Sequence, residues 1–250
     1  MNDFIDIHSH TLWGMDDGAA DIHASVDMCW TAAENGTRVL FLTPHLIYWE
    51  NAEELFDERN EKAGELERIL QMNEIELELK TGFEILCDDD IFNVEYFAPY
   101  ALCGSRYVLI EFDFFKASGE DVVAWCKYIL FRGNIPIIAH PERYSFVRNE
   151  PEIINTLSSL GVLFQVNMGS LSGDFGEDIQ QLALKLLNRG FVDFIGSDAH
   201  DFRMRNTDLL SCLDDISEEY NEELLENAMK RNPNYIINNE AYHPSRLGEI

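Results

Sequence analysis

Seven short runs of β-branched, aromatic and aliphatic residues recur along the chain, at 4–7, 39–43, 77–82, 107–111, 135–139, 162–166 and 192–196. They are nearly continuous in apolar character rather than alternating, which marks strands buried on both faces. The stretches between them carry helical spacing, as in Leu55, Phe56, Leu66, Ile69 and Leu70, or Ile179, Leu182, Ala183, Leu186 and Leu187. Gly36, Gly133, Gly161 and Gly190 stand where several of these helices should stop. Buried strands alternating with helices restrict the chain to a parallel sheet covered by helices, either open and doubly wound or closed as a barrel.

A chain of 250 residues suits one such domain, and no Pro/Gly/Ser-rich linker, low-complexity run or repeat divides it. Residues 1–250 are therefore expected to form a single domain, with 206–250 as a C-terminal helical extension whose acidic run, 218–226, is a solvated helix face. The formal charge of −28, from 46 acidic against 18 basic residues, disfavours nucleic acid and anionic lipid as partners. No stretch approaches the roughly 20 apolar residues that span a bilayer, and the N-terminus has no basic segment leading into an apolar run. A cytoplasmic protein without membrane insertion is expected. Cys29, Cys87, Cys103, Cys126 and Cys212 are scattered and form no CxxC pair, which suits a reducing compartment and gives no thiolate zinc site.

In a parallel α/β fold the active site lies at the carboxyl ends of the strands. The expected strands deliver His8 and His10, then His45, Glu84, Glu111, His140, Asn167, and finally Asp198 with His200. His8 and His10, two apart on a strand, point to the same side and can grip one ion. Five of the seven histidines sit at such ends beside carboxylates, a donor mixture that selects Zn²⁺, Mn²⁺ or Fe over Mg²⁺ or Ca²⁺. Glu84 and Glu111 follow buried strands, where an unpaired charge is costly and a metal removes the cost. In the Asp-Asp-Gly stretch, Asp16 is a ligand candidate because its loop starts at His10, whereas Asp17 and Gly18 read as turn residues. So many ligands suffice for two or three ions, a type of site that activates water and clamps a phosphoryl or acyl oxygen. Arg143 and Arg205 lie close after His140 and His200 and offer guanidinium forks for phosphate; Arg203 is the weaker neighbour.

The stretches DIHSHTLWGMDDGA, LTPHL, GFEI, LIEF, AHPERY with QVNMGS, and GSDAHDFRMRN run in order from Asp6 to Asn206. Together they resemble the polymerase and histidinol phosphatase (PHP) superfamily, and within it the manganese-dependent bacterial protein-tyrosine phosphatases of capsule and exopolysaccharide synthesis. The resemblance implies a distorted seven-stranded (β/α) TIM-like barrel with three divalent metal ions, manganese first and iron or zinc as alternatives. By position, His8, His10, Glu84 and Asp198 would hold one ion, Asp16, His45 and His200 a second, and Glu84, Glu111 and His140 a third, with Glu84 bridging. Arg143 and Arg205 would bind the substrate phosphate. The implied activity is direct hydrolysis of phosphotyrosine on a protein, the tyrosine-rich tail of a bacterial tyrosine kinase that controls polysaccharide chain length. Asp16 separates this branch from histidinol phosphatases, which place histidine in that loop. LWGMDDGA and EFDF depart from commoner proline-containing forms without removing a ligand.

Two other enzymes and one non-enzyme compete. Cys126 and Arg132 formally match the C-x5-R of cysteine-based tyrosine phosphatases, but the intervening residues are glycine-free and helical in pattern, unlike a phosphate-cradling loop. A PHP phosphoesterase acting on a small monoester such as histidinol phosphate is the alternative activity. A metal-binding module without turnover is the third reading.

Overall fold

The computed structural model describes residues 3–216 and 219–250; Glu218, the first residue of the expected acidic helix face, lies outside them. Its strands are β1 (Phe4–Asp6), β2 (Thr37–Leu42), β3 (His45–Leu46), β4 (Glu78–Thr81), β5 (Glu84–Leu86), β6 (Tyr107–Glu111), β7 (Ile135–Ala139), β8 (Leu163–Asn167) and β9 (Phe194–Gly196). All pairings are parallel, in a three-stranded sheet ordered β1-β2-β4 and a curled six-stranded sheet ordered β3-β5-β6-β7-β8-β9.

The second and third expected strands are matched by β2 and β4, and each is followed after a short break by a strand that the sequence does not lead one to expect, β3 and β5. Pro44 has no N–H to donate to a ladder. At Gly82 the chain passes so close to Leu102 that a Cβ would lie 2.5 Å from Leu102 Cδ2 and 3.2 Å from its Cα. Backbone bonds change partner at these points, with Thr43 N donating to Ser9 O at 2.9 Å, Gly82 N to Leu42 O at 3.0 Å and Glu84 N to Pro44 O at 3.1 Å. Past the last strand, Asp198 N donates to His8 O at 2.8 Å and His10 N to Ala199 O at 2.9 Å, which ties the ends of β1 and β9 together.

The strands bury both faces, as their composition demands. Val108, Ile110, Ile138 and Phe164 join the larger core cluster with Trp125, Cys126 and Ile129 of the helix Gly119–Phe131 and Leu186 and Leu187 of the helix Glu177–Asn188. Leu109, Ile137, Leu163 and Phe194 join a second cluster with Ile5, Ile7, Val39 and Phe41. Helix entries are capped from the sequence: Asp21 accepts from His23 N and Ala24 N ahead of Ile22–Glu34, and Ser118 accepts from Asp121 N ahead of Gly119–Phe131.

The segment expected to be a helical extension contains the helices Leu209–Asp214, Glu222–Glu226 and Pro233–Ile237, and 239–250 carries none. Ile236 enters the second cluster. Beyond it Tyr242 packs against the same cluster, Tyr107 Oη donates to Glu240 O at 2.6 Å, and Arg246 forms a two-pronged pair with buried Asp193 at 2.9 and 3.0 Å.

Candidate metal centre

His8, Ser9 and His10 continue β1, with the Ser9 hydroxyl turned away to donate to Phe41 O at 2.7 Å. That leaves both imidazoles on the other side, with their Nε2 atoms 3.1 Å apart. Gln165 Oε1 lies 2.8 Å from His8 Nδ1, and since a carbonyl only accepts, the proton sits on Nδ1 and the Nε2 lone pair faces inward. The amide is itself oriented, because Gln165 Nε2 donates to Asn167 Oδ1 at 2.9 Å and Asn167 Nδ2 donates to Asp198 Oδ2 at 2.7 Å.

His10 is oriented the same way by Asp16, whose Oδ2 accepts from Nδ1 at 2.7 Å. Asp16 Oδ2 also accepts from His45 N at 3.0 Å, and its Oδ1 accepts from Gly18 N at 2.9 Å. Burial pushes this carboxyl up, but these bonds outweigh it and hold it at about 2. Here the structure departs from the sequence reading. Both oxygens of Asp16 are spent on orienting His10 and fixing the loop, and the neighbouring Asp17 reaches the cluster instead. Asp17 Oδ1 lies 3.5 Å from His45 Nε2 and 3.4 Å from His200 Nε2. The turn that aims it requires glycine next, since a Cβ on Gly18 would sit 2.1 Å from His10 O.

The remaining ligand types converge on the same volume. Donor atoms fall into three groups, each within 4.8 Å: His10, Asp17, His45 and His200; His8, His10 and Asp198; and His45, Glu84 and Glu111. Glu84 Oε2 is central, 3.2 Å from His8 Nε2, 3.3 Å from His10 Nε2 and 3.1 Å from His45 Nδ1, while its Oε1 lies 3.0 Å from His140 Nε2. Glu84 Oε2 is buried with no hydrogen bond, and His45 Nδ1 lies 2.8 Å from Glu111 Oε1. A buried, unpaired carboxylate oxygen ringed by imidazole nitrogens is costly unless a cation occupies the space between them. The residues therefore fit divalent ions, and the mixed nitrogen and oxygen set suits Mn²⁺, Fe or Zn²⁺.

Two of these residues hold positive φ without being glycine, His140 at 37° directly after β7 and Asp198 at 51° just beyond β9. Such conformations cost about 1–3 kcal/mol and persist where the surroundings over-determine them. Asp198 is over-determined by two cations. Arg143 Nη1 and Arg205 Nη2 meet its Oδ2 at 2.9 and 2.7 Å, and Arg205 Nη2 also donates to its backbone oxygen at 3.0 Å. Phe114 and Phe175 flank the Arg143 guanidinium at 5.0 and 4.6 Å. Arg203 is exposed and lies over Phe202, so Arg205 is the arginine at the site.

All the expected ligands except Asp16 are brought together, with Asp17 joining them. Gln165 and the two phenylalanines were missed. Gln165 had a signal, an amide two residues before Asn167 inside an otherwise apolar strand, where it must be bonded. Phe114 and Phe175 had none, because they meet Arg143 from separate loops. The C-x5-R match dissolves: Cys126 is buried in a helix where burial pushes its thiol up, and Arg132 donates to Glu95 O.

A family model described as capsular polysaccharide synthesis, CpsB/CapC, matches residues 4–238. The tyrosine-protein phosphatase YwqE of Bacillus subtilis (strain 168) is 32% identical over 225 residues, 88% of this chain and 86% of its own length. A crystal structure from work on YwqE of Bacillus subtilis and CpsB of Streptococcus pneumoniae, described as unique metal-dependent tyrosine phosphatases, superposes with a TM-score of 0.84 at 30% identity, covering 96% of this chain and 97% of that one. A histidinol phosphate phosphatase of Lactococcus lactis, solved with zinc, L-histidinol and phosphate, is similar in fold, with a TM-score of 0.52 at 14% identity over 87% of this chain and 95% of that one.

Proposed function

The chain belongs to the CpsB/CapC family of capsular polysaccharide synthesis proteins, and we propose on that premise that it is a metal-dependent protein-tyrosine phosphatase. The observation that carries this reading is the orphaned Glu84 Oε2 among three imidazoles, with Arg143 and Arg205 meeting at Asp198 on the rim of the same cluster. Imidazole and carboxylate donors in that number, beside two guanidinium forks, suit hydrolysis of a phosphate monoester. The relatives' named activity supplies the phosphotyrosine.

Our finer reading has three ions, manganese first, in a seven-stranded PHP-type barrel. The backbone bonds linking β1 to the end of β9 support the barrel. His8, His10, Glu84 and Asp198 would hold one ion, Asp17, His45 and His200 another, and Glu84, Glu111 and His140 the third. When bound, the ions supply positive charge for phosphoryl oxygens and acidify water at neutral pH. The chain's own groups do the rest. Gln165 and Asp16 hold the protons on His8 Nδ1 and His10 Nδ1, so both Nε2 lone pairs stay available as donors. Arg143 and Arg205 offer their remaining N–H groups to equatorial phosphoryl oxygens, and Phe114 and Phe175 keep the Arg143 plane fixed, which lowers the cost of ordering it when substrate binds. The substrate in this reading is the tyrosine-rich tail of a bacterial tyrosine kinase, met in the cytoplasm. No helix among the described residues is long and apolar enough to cross a membrane.

The test compares hydrolysis of a phosphotyrosine peptide, a phosphoserine peptide and histidinol phosphate, with Mn²⁺ and then with chelator. Phosphotyrosine turnover that chelator abolishes is the expected result. Chelator-insensitive turnover would sink the metal mechanism, and a preference for histidinol phosphate would sink the substrate.

A further inference from the structure

β3 ends at Leu46, which is buried, and the chain then exposes Ile47 at 43% and Tyr48 at 62%. Alternation along the extended backbone sends Ile47 to the side of His45. Neither Ile47 nor Tyr48 joins a hydrophobic cluster of the described residues, so folding gives no reason for two large apolar side chains here. They line a cavity of about 350 Å³ whose other walls are Met15 and Leu55 with the polar Asp16, Asp17, His45 and Asn51. Asp17 and His45 are also members of the metal cluster, so cavity and cluster share a wall. The arginines meet the cluster elsewhere, at Asp198, and the aromatic surface there is engaged, because Phe114 and Phe175 are stacked on Arg143.

Resting on the phosphotyrosine reading, we propose that the aryl ring of the substrate seats in this cavity, against Ile47 and Tyr48 with Met15 and Leu55 behind, while the phosphoryl group faces the cluster and the arginines. A phosphotyrosine side chain is a dianion joined directly to a flat apolar ring, and the surfaces presented here come in that order. The ring gains apolar contact with Ile47 and an offset or edge-on partner in Tyr48. Met15, unbranched and adaptable, fills the gap left by rings of different tilt. Phosphoserine has no ring to fill this volume, so the cavity discriminates by contact that only the aryl ester makes.

The experiment measures binding of phenylphosphonate and methylphosphonate to the metal-loaded protein by calorimetry, since the two share an anionic head and differ by the ring. The unsubstituted chain is expected to bind the phenyl compound about 10-fold more tightly. In the double variant Ile47→Ala with Tyr48→Ala that advantage should fall to about twofold or less, with methylphosphonate affinity unchanged. Tyr48→Phe should keep it. No phenyl preference in the parent, an undiminished preference in the double variant, or its loss in Phe202→Ala instead would each overturn the assignment. Turnover of a phosphotyrosine peptide by the parent is measured alongside. If that fails, the activity reading falls, and the phosphonate comparison still judges the ring seat.

Discussion

Two adjacent aspartates do different work, and substitution separates them. Asp17→Asn should lower bound metal by about one equivalent in elemental analysis, because its carboxylate faces His45 and His200 directly. Asp16→Asn should keep the stoichiometry at saturating metal but weaken affinity about 10- to 100-fold, the usual effect of removing a group that orients a liganding histidine. Gln165→Leu is expected to behave like Asp16→Asn in a metal titration, and to cost about 1–3 kcal/mol in denaturant unfolding, because His8 Nδ1–H is left buried without an acceptor. Arg143→Ala should retain full metal content and lose about 10²- to 10³-fold in turnover, as when one preorganised donor to a transition-state oxygen is removed. Metal loss in that variant would contradict a role in binding the phosphoryl group. His8, His10 and Glu84 were legible as candidate ligands from spacing and expected burial. The choice of Asp17 over Asp16 was not, since both sit in one turn and only the path of that turn, folded back onto His10, decides which side chain faces inward.

At the scale of elements, the loop from His10 to Ala19 and the breaks after β2 and β4 set the shape of the mouth. Gly18→Ala forces a Cβ against the His10 carbonyl, so the loop must move and carry Asp17 with it. We expect destabilisation of about 1–3 kcal/mol in a denaturant titration, together with the metal loss of Asp17→Asn; unchanged metal content would show that the turn does not aim Asp17. The strands at 107–111 and 135–139 match the expected bounds because they are continuous apolar runs that must be buried. The second and third expected strands are found as β2 and β4, and a proline and a close backbone approach separate them from the unexpected short strands β3 and β5. That close approach depends on Leu102, about twenty residues away in sequence, which no local pattern reports.

For the whole molecule, the C-terminal segment acts as a clasp on the ends of the strands remote from the metal cluster. Arg246 carries the only charge paired with Asp193 among the described residues, and burial still pushes that carboxyl above its ordinary range. A raised folded-state value means the protonated form is preferred on folding, so the group favours the native state at low pH and less so as pH rises through the folded value. Arg246→Ala removes the cation and raises it further. The variant should therefore lose about 3–5 kcal/mol near neutral pH, with the deficit shrinking as pH falls, read as the difference in urea midpoints between pH 7 and pH 5. An equal deficit at both would place the effect in lost packing on Phe164 and Phe191 instead. By itself the sequence determined the alternation of buried strands and helices, the strand ends on which candidate ligands appear, and the two arginines that follow them, because periodicity, burial and donor chemistry are local properties. The tertiary structure alone decided that Asp17 rather than Asp16 faces the cluster, that Gln165 and Asn167 lock His8 and Asp198, and that a cavity holding Ile47 and Tyr48 shares a wall with the candidate metal centre. Those depend on side chains distant in sequence reaching the same few ångströms, which only the closure of one strand upon the next can arrange.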